Sequence, residues 1–188
     1  MQHGTGRDAY RAALSGLRYV PYVTDSASLY VLDTRPLVEM ALHHPNYRSR
    51  EGYRRTLGYS LGDLILGRAA LRATTTTFGP DPALERRFQT EIVDAYYPAS
   101  DSEAGLAEVR AFGLAMGDAL ADLLLDRDPA MIARTLRDLR RSCSVLNARE
   151  RAEVVDTLGW AWIVPTEARL GRSLPASLRR ALESPCGD

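Results

Sequence analysis

The stretch Arg55-Thr-Leu-Gly58-Tyr-Ser-Leu-Gly62-Asp63-Leu-Ile65 decides the fold prediction. It returns as Arg110-Ala-Phe-Gly113-Leu-Ala-Met-Gly117-Asp118-Ala-Leu120, with every matched position displaced by 55 residues. An arginine, a large apolar residue, two glycines, an aspartate and an aliphatic residue coincide in register. Both copies lie in segments whose apolar residues recur at helical spacing. We therefore predict two related helices within an internally duplicated chain.

The duplicated unit is larger than one helix. Each copy is followed by an Asp-Pro-Ala sequence, at Asp81 and at Asp128, which is typical of a helix start with a capping aspartate and proline in the first turn. We predict one all-α domain over 1–188, a bundle of six to eight helices with a pseudo-twofold repeat of a helix pair. The repeats cover 49–97 and 100–146, between an N-terminal part at 1–48 and C-terminal helices at 147–188.

Three local signals refine this prediction. The segment 18–33 is β-branched and aromatic on both sides of a polar break, which indicates either a short hairpin or an extended arm, and Pro21 argues against a central strand. The run Thr74-Thr-Thr-Thr-Phe-Gly-Pro80 predicts a loop that ends the first Gly helix at Ala73. Farther on, Asn147 and Glu150 are spaced as a capping box, and that helix is expected to stop before Pro165, with Val154 and Val155 inside.

Charge and composition exclude several function classes. The formal net charge of the 188 residues is zero and the pI is about 6.8, so neither nucleic acid nor an anionic membrane is an expected partner. All 24 basic residues are arginine, which rules out Schiff-base chemistry on a lysine. The protein is expected to be cytoplasmic, because no apolar signal core or membrane span is visible. Cys143 and Cys186 are therefore expected to be reduced thiols. The tail around Cys186 is expected to be frayed.

The four glycines of the repeat are predicted to be structural. A glycine inside a helix costs about 1 kcal/mol relative to alanine, so its presence asks for a steric reason. Glycines four residues apart share one helix face, where another backbone can approach closely. We expect the two helices to cross through these faces, which carry Gly58, Gly62, Gly113 and Gly117. A groove for a flat organic ligand between the same faces is the alternative.

That alternative names candidate catalytic residues. Asp63 and Asp118 would perform acid–base chemistry at the edge of the groove, with Tyr59 nearby on the helix of Asp63. Arg55 and Arg110 would orient the ligand. Unpaired, water-exposed carboxylates or Asp–Arg pairs are the structural alternative for both aspartates.

A second candidate surface is the run Tyr47-Arg-Ser-Arg-Glu-Gly-Tyr-Arg-Arg55, the most basic local stretch. Tyr53, Arg54 and Arg55 are its predicted binding residues, because guanidinium groups can bind a phosphate or another anionic group of a partner. A water-exposed face or intramolecular salt bridges are the structural alternative for this run.

Metal and cofactor chemistry find little support in the sequence. Glu39 and His43 are spaced to share a metal ion, but no third ligand has matching spacing. The chain has no phosphate-binding loop, no dinucleotide fingerprint and no nucleophile elbow. We predict no metal and no cofactor.

Two function classes follow. The first is a helical adaptor, assembly or regulatory protein that acts through protein–protein contacts, including self-association as a homodimer. The second is a metal-independent enzyme or binding protein for a small organic molecule, with its pocket between the two Gly helices. The first predicts a filled bundle centre, both aspartates facing outward and an exposed apolar patch. The second predicts a closed pocket with an inward aspartate.

Overall fold

The computed structural model of the chain describes residues 16–23, 28–38, 61–94 and 104–187. Within them the fold is mostly helical, as predicted, and seven α-helices have described bounds. The strands are β1 (Tyr19–Val23) and β2 (Ser28–Leu32), and the helices are α1 (Leu61–Phe78), α2 (Pro82–Phe88), α3 (Ala104–Leu124), α4 (Pro129–Arg140), α5 (Ala148–Thr157), α6 (Val164–Leu170) and α7 (Ala176–Glu183). Three short helical turns continue α2, α4 and α5, at Gln89–Val93, Arg141–Val145 and Leu158–Ile163.

The core is built on the contact between α1 and α3, the most extensive in the described fold. Leu64 and Ile65 on α1, with Met116 and Leu120 on α3, are completely buried. Helix α4 packs on α3, α7 packs on α4, and α5 packs on α1. None of the described helices is long and apolar enough to cross a membrane.

The segment before the bundle forms a hairpin. β1 and β2 pair antiparallel, with Tyr19 opposite Leu32 and Val23 opposite Ser28. Pro21 lies opposite Tyr30. A proline is tolerated here because the described sheet has two strands, so each strand keeps one edge that makes no ladder hydrogen bonds.

The predicted loop at 74–80 is wrong, because α1 continues through all four threonines to Phe78. The Thr74 side chain is buried, and its Oγ1 lies 2.7 Å from Oγ1 of buried Thr34. The hydroxyl of Thr75 donates to the carbonyl of Arg72 one turn earlier, at 3.2 Å. Gly79, with φ of 93°, ends the helix instead. Tertiary contacts have thus overridden the low helix propensity of threonine.

The local helix-start signals are confirmed. The Asp81 carboxylate accepts from the backbone N–H groups of Ala83 and Leu84 at 3.1 and 3.0 Å. Asp128 accepts from the N–H of Ala130 at 2.9 Å. Asn147 and Glu150 form a complete capping box at the start of α5.

Three expectations for the C-terminal part are corrected. The helix passes Pro165, because a wide π-helical turn at Leu158–Ile163 leads into α6 and leaves the proline in a first turn, where its missing N–H is tolerated. Val155 is 40% exposed and lies outside the core. Cys143 and Cys186 are joined as a disulfide rather than being thiols, and this bond ties down the tail that was expected to fray.

Candidate functional site

The glycine face of α3 is filled by side chains of α1. A Cβ on Gly113 would lie 2.7 Å from a methyl carbon of Leu64 and 2.9 Å from one of Leu61. A Cβ on Gly117 would lie 2.6 Å from Cβ of Arg68 and 2.9 Å from the backbone carbonyl oxygen of Ile65. These glycines therefore serve close helix packing, which leaves no room for a ligand at this contact.

Gly62, in the first copy, faces a different helix. An added Cβ would collide with the side chain of Thr157 on α5, and the N–H of Gly62 lies 3.4 Å from Oε1 of Glu153 on the same helix. The expectation that both glycine faces close on each other is therefore wrong for Gly62. Gly62 and Gly117 have different neighbours because α1 contacts both α3 and α5. Gly58 lies outside the described residues.

Asp118 forms a cross-helix ion pair. Its carboxylate receives two hydrogen bonds from the guanidinium of Arg68 on α1, at 2.9 and 3.3 Å. The Asp118 side chain is 42% exposed. This geometry matches the structural alternative, in which an arginine neutralises a carboxylate at the rim of the helix pair, rather than a desolvated acid–base group.

The other predicted site residues are only partly placed. The backbone of Asp63 lies in α1, while its side chain is outside the described residues. Arg110 is half-buried on α3 and takes part in an interaction of its own. Tyr53, Arg54, Arg55 and Tyr59 lie outside the described residues, as do Glu39 and His43, so their roles stay predictions. No group of His, Cys, Asp and Glu in the described part of the chain could hold a metal ion.

A surface that the sequence did not single out offers the better-formed site. It is a cavity of about 370 Å³ between α4 and α7, within the range of ligand-binding clefts. Its lining combines three arginines, two serines and an apolar floor, and we call it the arginine groove: Leu136, Arg137, Arg140, Ser177, Arg180, Ala181, Ser184 and Pro185.

Helical spacing positions these side chains. On α7 and just after it, Ser177, Arg180, Ala181 and Ser184 follow steps of three, one and three, which keeps them on one face. Leu178 and Leu182 lie on the opposite, buried face, so they anchor α7 in the core. On α4, buried Leu136 holds the helix in the same way, while Arg137 and Arg140 remain exposed.

The groove arginines differ from their neighbours in charge pairing. Arg179, beside Arg180, binds Glu167 at 2.6 Å and Glu183 at 2.9 Å. By contrast, no carboxylate among the described residues lies within salt-bridge distance of Arg137, Arg140 or Arg180. Three guanidinium groups that form no ion pair within the described part of the chain lie around one concave surface, which favours an anion.

The tail after α7 forms one wall of the groove. Ser184 and Pro185 line it directly, and Cys186 is bonded to Cys143 in the turn that follows α4. Gly187 packs so closely on the Arg140 guanidinium that a Cβ there would overlap it. The disulfide and this contact connect the tail to the element that carries Arg137 and Arg140.

Two further cavities in the described fold are less suited to a ligand. One, of about 530 Å³, lies beside Arg35 and Phe78. Arg35 is already bound to Asp33 at 2.7 Å and stacks over the Phe78 ring at 4.3 Å. The hydrogen bond from Arg35 holds the pKa of Asp33 below its usual range. Arg35 is therefore already neutralised by Asp33 and is less suited to bind an anionic ligand. The other cavity, of about 380 Å³, is lined by Ala111, Phe112 and Val145, with Glu108 as its one charged residue.

Sequence reasoning missed the groove for a definite reason. Arg137 and Arg180 are 43 positions apart, and nothing in the local pattern of either helix tells that the two faces meet. The usable signal was the polar face of α7, where serine and arginine alternate at helical spacing opposite Leu178 and Leu182. Comparison of the chain with protein-family models, curated proteins and solved structures finds no match.

Proposed function

We propose that this protein is a non-enzymatic helical adaptor or regulatory protein that acts through protein–protein contacts, and that the arginine groove receives an acidic segment of the partner. The observation that carries the proposal is a set of three exposed arginines around a concave surface, none of which pairs with a carboxylate of the described residues. The filled contact at Gly113 and Gly117 removes support from the alternative, a small-molecule enzyme with its pocket between the Gly helices.

The chemistry of the groove favours a segment with both charge and apolar side chains. Planar guanidinium groups bind carboxylates through paired hydrogen bonds, which suits glutamate or aspartate. Leu136, Ala181 and Pro185 supply an apolar floor on which a neighbouring aliphatic side chain can be buried.

Several related predictions remain part of the proposal. The partner is another protein, with self-association as a homodimer the simplest case, and the basic run at 47–55 is a second contact surface. The proposed compartment is the cytoplasm. We also propose that the helix pairs at 49–97 and 100–146 arose by duplication of one ancestral pair.

The binding test uses a fluorescent synthetic peptide rich in Glu and Leu, with its counterpart carrying Lys at each Glu position. We expect the acidic peptide to bind the oxidised protein and the basic one not to bind. Arg180→Glu should weaken binding about tenfold or more, since a charge-assisted hydrogen bond contributes about 1.5–3 kcal/mol and the new carboxylate repels the peptide. Fluorescence anisotropy measures both dissociation constants.

Arg134→Glu is the matched control. Arg134 is exposed on α4 and lies outside the groove, so the same charge change there should leave the dissociation constant nearly unchanged. Equal losses in both variants would reduce the effect to net charge and overturn the proposal. Free glutamate competing as well as the peptide would show that the groove takes a small anion, which contradicts a protein partner.

A further inference from the structure

The wall of the arginine groove is fastened by a bond that a reductant can break. Within the described residues, α7 ends at Glu183, and the main-chain hydrogen bonds of the segment after it are local: the N–H of Ser184 donates to Arg180 at 3.1 Å and that of Gly187 to Ser184 at 3.3 Å. These bonds do not reach α4. The connections across the groove are the bond from Cys186 to Cys143, the packing of Gly187 on Arg140, and buried Pro185, whose carbonyl oxygen lies 3.9 Å from Sγ of Cys143.

We propose that the Cys143–Cys186 disulfide is a redox switch for the arginine groove, closed and binding-competent when oxidised, open and weakened when reduced. This inference rests on the function proposed above, because it describes regulation of that same groove. In a reducing compartment such as the cytoplasm, a disulfide is typically transient and regulatory. A switching role therefore agrees with both the proposed cytoplasmic location and the bonded cysteine pair.

The exposure of the two sulfur atoms determines which of them a reductant attacks first. Cys143 is 3% exposed, whereas Cys186 is partly exposed in the tail. A thiolate of a dithiol reductant attacks Sγ of Cys186, the bond between the two cysteines breaks, and its electron pair passes to Sγ of Cys143, which takes up a proton. The second thiol of the reductant then displaces Cys186. Both cysteines end as thiols, and the dithiol is oxidised to its own cyclic disulfide.

Opening has two consequences at the groove. Ser184 and Pro185 lose their fixed place as a wall, and Gly187 no longer packs on the guanidinium of Arg140. Arg140 then regains rotational freedom, so it must be ordered again whenever an acidic segment binds. The rest of the fold keeps its support, because Leu178 and Leu182 of α7 remain in the core.

The test measures anisotropy of the acidic Glu/Leu peptide with the full chain, before and after treatment with dithiothreitol. We expect reduction to weaken binding about tenfold, the equivalent of one charge-assisted contact. The variant Cys143→Ser/Cys186→Ser should bind like the reduced protein and should not respond to the reductant. Far-ultraviolet circular dichroism of reduced wild type should be unchanged, with faster amide exchange confined to 184–187.

The outcomes separate the two proposals. If the oxidised protein binds no acidic peptide, the groove function itself fails. If the oxidised and reduced proteins bind equally well, the groove function stands and the switch is refuted. Loss of helical circular dichroism on reduction would also refute the switch, because the bond would then support the whole fold. Wild-type protein alone decides these points, even if the double serine variant does not fold.

Discussion

At residue 117 even one methyl group is too large. A Cβ there would lie 2.6 Å from Cβ of Arg68 and 2.9 Å from the Ile65 carbonyl oxygen, and a backbone atom cannot step aside as a flexible side-chain end can. Alanine would gain about 1 kcal/mol in helix propensity, but overpacking costs about 1–3 kcal/mol. Because these two effects oppose each other, we expect Gly117→Ala to lower the free energy of unfolding by up to about 2 kcal/mol, measured by urea denaturation.

Gly159→Ala is the control for this prediction. Gly159 lies in the π-helical turn after α5, and an added Cβ there would meet nothing within 4 Å. The substitution should leave stability unchanged or raise it by up to about 1 kcal/mol. A Gly117→Ala protein at least as stable as wild type would contradict the close packing of α1 on α3.

Single residues are also where the sequence predicts most reliably. The caps at Asp81, Asp128 and Asn147 were predicted because a capping side chain binds backbone groups two or three positions away, so the whole interaction is local. The tight packing of Gly117 was predicted from the cost of glycine in a helix. The contact of Gly62 with Thr157 was not predicted, because the two residues are far apart in the chain and no local sequence pattern indicates that they pack together.

Among the elements, the last turn of α1 depends on one buried pair of hydroxyls. Thr34 and Thr74 lie 2.7 Å apart, oxygen to oxygen, and both side chains are buried. Thr74→Val keeps the shape but leaves the Thr34 hydroxyl without its partner, which costs about 1–3 kcal/mol. We expect thermal unfolding to show this loss for Thr74→Val.

The double variant Thr34→Val/Thr74→Val tests the cause. With both hydroxyls removed, no buried polar group is orphaned at this position, so the double variant should be more stable than the sum of the two single losses predicts. Strictly additive losses would mean that the two threonines act independently, against the contact described here.

The error at this element has a physical origin. Four consecutive threonines predict a loop when only propensity is counted, since β-branched side chains lose rotamer freedom in a helix. The contact with Thr34, 40 positions earlier in the chain, offsets that cost. Periodicity therefore predicted that α1 exists, tertiary packing carried it through the threonines, and Gly79 ends it.

For the whole molecule, two ion pairs make the free energy of unfolding depend on pH. The hydrogen bonds from Arg179 and from the backbone N–H of Leu174 hold the pKa of Glu167 below its usual range, and Arg35 lowers the pKa of Asp33. A lowered folded pKa means that the stabilisation is complete at neutral pH and disappears as the pH falls through that value. We expect Glu167→Gln to be less stable than wild type at pH 7, with the difference closing below about pH 4.

Urea denaturation at a series of pH values measures this convergence. Glu183→Gln is the control, because Glu183 also pairs with Arg179 but is 51% exposed, where an ion pair contributes little. A Glu167→Gln deficit that stays constant down to pH 3 would mean that the side chain stabilises by packing rather than by charge.

For the whole molecule, the sequence predicts the fold class but not which helices pack against each other. An all-α bundle follows from helical periodicity, and the neutral charge balance follows from composition. The arginine groove depends on α4 meeting α7, and the disulfide depends on two cysteines 43 positions apart lying side by side. Both are long-range events, for which a single sequence carries no spacing rule.

The Cys143–Cys186 bond also changes how the protein would carry a mechanical load. Force applied between the two ends of an oxidised chain passes directly from one sulfur to the other, so α5, α6 and α7 lie in a closed ring that bears no tension. Full extension therefore excludes a ring of 43 positions, about 150 Å of chain. Reduction returns that hidden length, and the same polypeptide becomes a longer tether without any change in sequence.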